Sequence, residues 1–114
     1  MILFHGGPAG LTEILPPRVT GAVMSTGAIR PDLATADRVY LTSDERAARF
    51  FAAMAPARNV CVYEVEPLGD LEHDPDCNEP GLSYAAPSAR VIRAFPLSAS
   101  ARNRILRAAG VSLR

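Results

Sequence analysis

The chain has 114 residues, with 12 basic and 12 acidic side chains and a formal net charge of zero. A chain of this length can bury one hydrophobic core, so we expect a single domain over residues 1–114. No apolar run approaches the ~20 residues that a membrane-spanning helix needs, and no basic segment precedes an apolar one near the start. These features argue against a helical membrane protein and a signal peptide, and they predict a soluble globular domain.

Cysteine usage predicts the compartment. Cys61 and Cys77 are too few for a disulfide framework. We therefore expect two free thiols in a reducing cytoplasm.

The charge is unevenly distributed along the chain. All 12 acidic residues lie at or before Glu79, together with six of the arginines, and the chain contains no lysine. The other six arginines follow Glu79 and are Arg90, Arg93, Arg102, Arg104, Arg107 and Arg114. Either the two parts pair their charges in the fold, or the arginines form a basic face for a phosphate-bearing ligand or a nucleic acid. Zero net charge argues against broad non-specific binding of nucleic acids.

The first elements are short and bounded by glycine and proline. Met1–His5 is apolar and precedes two glycines and a proline, which predicts a strand that ends in a turn. Leu11–Leu15 is long enough for one helical turn before two prolines stop it. Residues 16–36 predict a long surface connection with one short strand at Ala22–Ser25, and the alternation in Arg38–Thr42 predicts the next strand.

A helix is predicted directly after that strand. The run from Thr42 to Glu45 is a capping box, in which the Thr42 hydroxyl accepts from the backbone near Glu45. Pro56 ends the helix. Spacings of three and four residues predict that its apolar face consists of Ala47, Phe50, Phe51 and Met54.

The remaining chain predicts two strands and a last helix. Asn59–Glu66 alternates, and residues 68–88 have the prolines of a loop. Ala89–Phe95 is a further strand, and Ser98 begins a helix that Gly110 stops. One face of the first of these strands should carry Cys61, Tyr63 and Val65. The fold class is therefore α+β, mainly a β-sheet with one central and one C-terminal helix.

Reactive side chains lie in loops next to the predicted strand ends, where functional sites are usually built. Two glycines after His5 allow a backbone to approach a ligand without an intervening Cβ. Pro75 keeps Asp74 extended and so fixes the direction of its carboxylate. Tyr40 should face the side opposite its two apolar neighbours. The reactive set is His5, His73, Asp74, Asp76 and Cys77.

The residues alone leave two other interpretations open. One is a metal site, although the spacing matches no standard zinc or calcium pattern. Its ligands would be His73, Asp74, Asp76 and Cys77. The other is purely structural: His5 caps a turn, Tyr40 belongs to the core and Asp74 makes a loop hydrogen bond.

Several short motifs follow one another in a fixed order between residues 3 and 95. They are Phe4-His5-Gly6, Val39-Tyr40-Leu41-Thr42 with the alanine-rich helix after it, Tyr63-Glu64-Val65-Glu66-Pro67-Leu68-Gly69, Glu72-His73-Asp74-Pro75-Asp76, Ser83-Tyr84 and Ala89-Arg90-Val91-Ile92. In this order they resemble the rifampin ADP-ribosyltransferase family, small bacterial relatives of the diphtheria-toxin and poly(ADP-ribose) polymerase type of fold. The resemblance implies a compact fold with a split, mainly antiparallel β-sheet and an NAD-dependent mono-ADP-ribosyltransferase activity.

The resemblance also implies a role for each member of a His, Tyr and Asp triad. His5 would hydrogen-bond the nicotinamide ribose, and Tyr40 would stack on the nicotinamide ring. Asp74 would orient the acceptor or stabilise the positive charge that develops as the glycosidic bond breaks. No metal would be needed, because nicotinamide is itself a good leaving group. The residues implied to bind NAD are His5, Gly6, Tyr40, Thr42 and Tyr84.

The chain departs from the family at Gly7, where threonine is usual, and at His73, where a second acid is usual.

The acceptor would be a rifamycin, as in antibiotic resistance, or a protein or nucleic acid, as for a toxin with an antitoxin partner. A nucleic acid would be reached through the C-terminal arginines. The alternatives are a non-catalytic module that binds NAD, ADP-ribose or a protein, an NAD-consuming RNA 2′-phosphotransferase-like enzyme, and a metal hydrolase built on His73, Asp74 and Cys77.

Overall fold

A computed structural model describes residues 1–16, 37–74 and 82–111. They form an antiparallel sheet of seven strands with two helices, which confirms the predicted α+β class. The expected strand at Ala22–Ser25 lies outside the described residues. In chain order the elements are β1 (Leu3–Pro8), β2 (Glu13–Ile14), β3 (Val39–Thr42), α1 (Glu45–Met54), β4 (Val60–Leu68), β5 (Glu72–His73), β6 (Ser83–Ala86), β7 (Ser88–Leu97) and α2 (Ala99–Ala108). The strand order across the sheet is β2-β7-β4-β1-β3-β6-β5.

Each face of the sheet carries its own hydrophobic cluster. The first face, here called the core face, bears Leu3, Leu41 and Tyr63. The second, here called the helix face, bears Val62 and packs against α1. The predicted alternation of β4 is confirmed, because successive side chains of a strand point to opposite faces. Its core-face residues are Cys61, Tyr63 and Val65.

Helix α1 lies very close to β1. A Cβ atom on Gly6 would lie 2.1 Å from the backbone oxygen of Ala48, so only small side chains fit between the helix and the strand. The predicted apolar face was wrong, because that pattern favours large side chains whereas the contact requires small ones. The buried residues of α1 are Ala48, Ala52 and Ala53. The residues predicted for that face are only partly buried and are Ala47, Phe50, Phe51 and Met54.

Replacing Gly6 with alanine is expected to lower the free energy of unfolding by about 1–3 kcal/mol, because the added methyl group overpacks the contact with α1. Gly7→Ala is the matched control. Its Cβ would lie 3.3 Å from the His5 ring, so it requires a much smaller displacement than the 2.1 Å approach at Gly6. Urea unfolding followed by circular dichroism measures both variants. A Gly6→Ala protein as stable as the parent would contradict the close packing.

The predicted N-cap is confirmed for α2 but not for α1. Asp44 is the N-cap of α1 and accepts from the backbone N–H of Arg46 at 2.9 Å. The predicted position of the N-cap was wrong, because the helix begins after Asp44 and not after Thr42. The buried Thr42 hydroxyl does accept from a backbone N–H next to Glu45, that of Asp44 at 3.1 Å, and it donates to the carbonyl of Leu82 at 2.7 Å. The N-cap of α2 is Ser98, as predicted.

Two segments differ from their predicted structure. The segment predicted as a helical turn contains β2 instead, which pairs with Ala89 and Arg90 of β7. The segment 68–88, predicted as a loop, contains β5 and β6, which pair with each other while β6 also pairs with β3. Their sequences have little intrinsic strand preference, and pairing with neighbours decides their structure. Neither helix within the described ranges has the length and apolar character needed to cross a membrane.

Arg102 of α2 ties the two helices together. Its guanidinium donates from Nε to the carbonyl of Ala53 at 2.9 Å and from Nη2 to that of Ala55 at 2.8 Å. It also donates from Nη1 to the carbonyl of Ala57 at 2.8 Å and to that of Arg58 at 3.1 Å. The last carbonyls of a helix lack partners within the helix, and a planar fork of donors satisfies them. Arg102 is therefore engaged inside the protein.

Other arginines of the basic part also meet acidic residues. Arg90 forms an ion pair with Glu66, across the β4–β7 ladder. Arg93 lies opposite Glu64 in the same ladder. Charge pairing between the two parts of the chain therefore accounts for some of the uneven distribution. Arg104, on α2, is exposed.

Candidate functional site

Strands β1 and β3 separate after a single point of pairing. The whole of β1 pairs with β4, whereas it meets β3 only where Phe4 lies opposite Thr42. Next to this point, the Nδ1 atom of His5 lies 2.9 Å from the backbone oxygen of Tyr40. The imidazole therefore bridges the two strands where their backbone pairing stops.

The bond to Tyr40 fixes the tautomer of His5. A carbonyl oxygen only accepts, so Nδ1 carries the proton and donates it. Burial lowers the pKa of His5 below its usual 6.5, and the hydrogen bond to Tyr40 partly opposes that shift. The ring is therefore neutral at about pH 7, and Nε2 can accept a hydrogen bond from a ligand. Gly7 leaves room beside this atom, since a Cβ there would lie 3.3 Å from Nε2.

We expect the protein to lose stability as the pH falls below the ordinary His5 pKa of 6.5. The unfolded chain then binds a proton that the folded protein resists, so the stabilising contribution is present above the unfolded pKa and lost as the pH falls through the folded one. Melting temperatures between about pH 8 and pH 5 test this. In His5→Gln that part of the pH dependence should disappear, and a profile identical to the parent's would contradict it.

Tyr40 lies on the opposite sheet face from His5. Its neighbours Val39 and Leu41 belong to the core-face cluster, and Tyr40 between them is half-buried on the helix face. This is the orientation predicted from the sequence. His5 therefore contacts the backbone of Tyr40, while the two rings project to different sides of the sheet.

Asp74 follows the edge strand β5. Its backbone N–H donates to the carbonyl of Ser83 at 3.1 Å, and its Oδ2 accepts from the Ser83 hydroxyl at 3.0 Å. The preceding His73 stacks on Tyr84 of the core face, so Asp74 projects to the helix face. Tyr40 and Asp74 thus share a face, with β6 between their strands, and two strand spacings correspond to about 10 Å.

The structure brings the predicted triad together only in part. Tyr40 and Asp74 lie on one face, and His5 is joined to Tyr40 through the backbone. His5 and Asp74 belong to opposite faces, and β3 and β6 lie between β1 and β5. A ligand that contacts all three must therefore reach both faces of the sheet near the point where β1 and β3 separate.

The other residues implied to bind NAD have contacts within the protein. Gly6 faces α1, and the Thr42 hydroxyl is bonded to Leu82 and accepts from Asp44 N–H at 3.1 Å. Tyr84 stacks on His73, with ring centroids 5.1 Å apart. Their contacts with NAD stay predictions.

Sequence reasoning missed two residues of the helix face. Ser83 holds Asp74, and Arg38 forms an ion pair with Glu72 at 3.2 Å. The period of a strand could have placed Arg38 on the same face as Tyr40. The contacts with β5 depend on the pairing of β5 with β6, and the sequence predicts a loop for both strands.

The alternative metal site involves residues both within and outside the described ranges. Within residues 1–16, 37–74 and 82–111, no group of three or more His, Cys, Asp or Glu side chains could hold a metal ion. Asp76 and Cys77, two of the four suggested ligands, lie outside those ranges. The described part of the chain therefore supplies only His73 and Asp74 to such a site.

Comparison of the chain with known proteins identifies no family. A functional assignment therefore depends on the residues of the site and on the order of the motifs. A scan against protein-family models finds no match for the chain, and a search of curated proteins finds none either.

Proposed function

We propose that this protein is an NAD-dependent mono-ADP-ribosyltransferase with the compact ADP-ribosyltransferase fold. The observation that carries the proposal is the placement of His5, a neutral ring held by the Tyr40 carbonyl where β1 and β3 separate. Its Nε2 lies beside Gly7 and can accept a hydrogen bond from a ribose hydroxyl. The reaction itself is suggested by the resemblance of the motifs around His5, Tyr40 and Asp74.

In the proposed reaction, the bond between the ribose C1′ atom and the nicotinamide nitrogen breaks, and nicotinamide leaves with the electron pair. Tyr40 stacks on the nicotinamide ring, and the Asp74 carboxylate stabilises the positive charge that develops on the ribose. A nucleophilic atom of the acceptor then bonds to C1′ and loses its proton. The cytoplasmic location predicted from the cysteines would supply NAD, and no metal takes part.

The acceptor we propose is a rifamycin, a protein side chain or a nucleic acid. Exposed Arg104 and Arg107 favour a nucleic acid through their charge alone. If the acceptor is a cellular macromolecule, its modification would suit a toxin, and the partner we propose for a toxin is an antitoxin.

One observation favours a second candidate function, a module that binds NAD or ADP-ribose without turnover. His5 and Tyr40 lie on neighbouring strands joined by a hydrogen bond, whereas β3 and β6 separate the strand of His5 from the strand that precedes Asp74. Binding requires His5 and Tyr40 but not a carboxylate near the ribose. Such a module would bind NAD and release no nicotinamide.

Transfer of a labelled ADP-ribose group tests the first proposal. NAD labelled in its adenylate part is incubated with the protein and with rifampicin, a protein mixture or a nucleic acid. The parent should label at least one acceptor, and a variant with both His5→Ala and Asp74→Ala should label none. NAD binding without any transfer would reject the transferase, and equal labelling by both proteins would reject the roles proposed for His5 and Asp74.

A further inference from the structure

Two hydrogen bonds join Asp74 to Ser83. The Asp74 backbone N–H donates to the Ser83 carbonyl at 3.1 Å, and the Ser83 hydroxyl donates to Asp74 Oδ2 at 3.0 Å. The first bond belongs to the backbone and does not depend on the side chain of Ser83. The second restricts the rotation of the carboxylate and depends on the hydroxyl alone.

Ser83 is itself held on its other side. It lies opposite Thr42 of β3, a residue only 4% exposed. The carbonyl of Leu82 accepts from the Thr42 hydroxyl at 2.7 Å and from the backbone N–H of Ser43 at 3.2 Å. The start of β6 is therefore attached to the end of β3. Because Tyr40 also belongs to β3, the Ser83 hydroxyl has a defined position relative to Tyr40.

Edge strand β5 has contacts that do not involve the Ser83 hydroxyl. Glu72 pairs with Arg38 at 3.2 Å, and His73 stacks on Tyr84. The exposed ion pair contributes little by itself, but the stacking and the β5–β6 backbone pairing hold the strand in register. Removing the Ser83 hydroxyl should therefore remove this one restraint on the carboxylate without unfolding the edge.

We propose that Ser83 is a positioning residue, which orients the Asp74 carboxylate across the helix face toward a ligand bound at Tyr40. The inference rests on the proposed transferase function. A carboxylate that is already oriented stabilises the developing charge without first reorganising, and small displacements of such a group slow a reaction strongly. Ser83 acts through Asp74 and need not touch NAD.

The test compares the parent with Ser83→Ala and Ser83→Thr by steady-state release of nicotinamide from NAD. Ser83→Ala should lower kcat by about 10- to 100-fold, with little change in the KM for NAD or in the melting temperature. Ser83→Thr keeps the hydroxyl on a strand position that suits a β-branched residue and should recover most of kcat. Ser100→Ala, at an exposed position of α2, is the control and should match the parent.

The outcomes separate this inference from the proposed function. If the parent releases nicotinamide and Ser83→Ala keeps its kcat, the positioning role is wrong and the transferase stands. If Ser83→Ala loses kcat, KM and melting temperature together and Ser83→Thr recovers none of them, the residue is structural and the inference is again wrong. A parent without any nicotinamide release removes the proposed function and this role with it.

Discussion

Replacing Asp74 with alanine is expected to lower the rate of nicotinamide release by about 10²- to 10³-fold, the usual effect of removing one preorganised electrostatic group. The side chain lies at the sheet edge, and its loss leaves the Ser83 hydroxyl free to bond to water. The fold should therefore remain intact. Initial rates at saturating NAD, with melting temperatures measured in parallel, give the comparison.

Two further variants make the Asp74 result specific. Asp70→Ala removes an exposed acid from the loop between β4 and β5 and should leave the rate unchanged. Asp74→Asn keeps the shape of the side chain without its charge and should be nearly as slow as Asp74→Ala if the charge matters. An Asp74→Ala rate within a few-fold of the parent would contradict the catalytic role of this carboxylate.

Replacing Arg102 with alanine is expected to lower the free energy of unfolding by about 2–4 kcal/mol, because several backbone carbonyls at the end of α1 lose a charged donor. Arg102→Lys should recover only part of this, since one ammonium group cannot reach all of the acceptors. Arg104→Ala, at an exposed position of the same helix, should change stability by less than about 0.5 kcal/mol. Equal stabilities for Arg102→Ala and Arg104→Ala in urea unfolding would contradict the structural role.

The role of Arg102 changes how a nucleic-acid acceptor is tested. A variant that removes Arg102 together with other arginines would lose activity through unfolding and would prove nothing about binding. Arg104→Ala combined with Arg107→Ala removes charge only from exposed positions. Unchanged modification of a nucleic acid by that variant would exclude these two arginines as its binding site.

Several elements of the fold could be predicted because their causes are local. The alternation of β4 follows from strand geometry, because successive side chains point to opposite faces of the sheet. Ser98 caps α2 with a side chain that accepts from the N–H of Ala101 at 3.1 Å. The buried face of α1 could not be predicted in this way. It depends on the approach of Gly6 to Ala48, a contact between two elements that appears only in the folded protein.

The sequence could name candidate site residues but not their arrangement. His5, Tyr40 and Asp74 could be named from the order of the motifs, and the period of β3 correctly placed Tyr40 opposite its apolar neighbours. The bond from His5 to the Tyr40 carbonyl spans 35 residues and depends on which strands are neighbours. The proposed role of Ser83 depends on β6. The sequence of β6 shows no strand pattern, and its strand structure depends on pairing with β3.

Release of nicotinamide from NAD by the purified parent protein tests the central claim most directly. We expect release that increases with time, is stimulated by a true acceptor, and is lost in the variant that combines His5→Ala with Asp74→Ala. A folded parent protein that releases no nicotinamide with rifampicin, nucleic acid or cell lysate would contradict the claim. NAD binding in that case would identify the protein as a binding module.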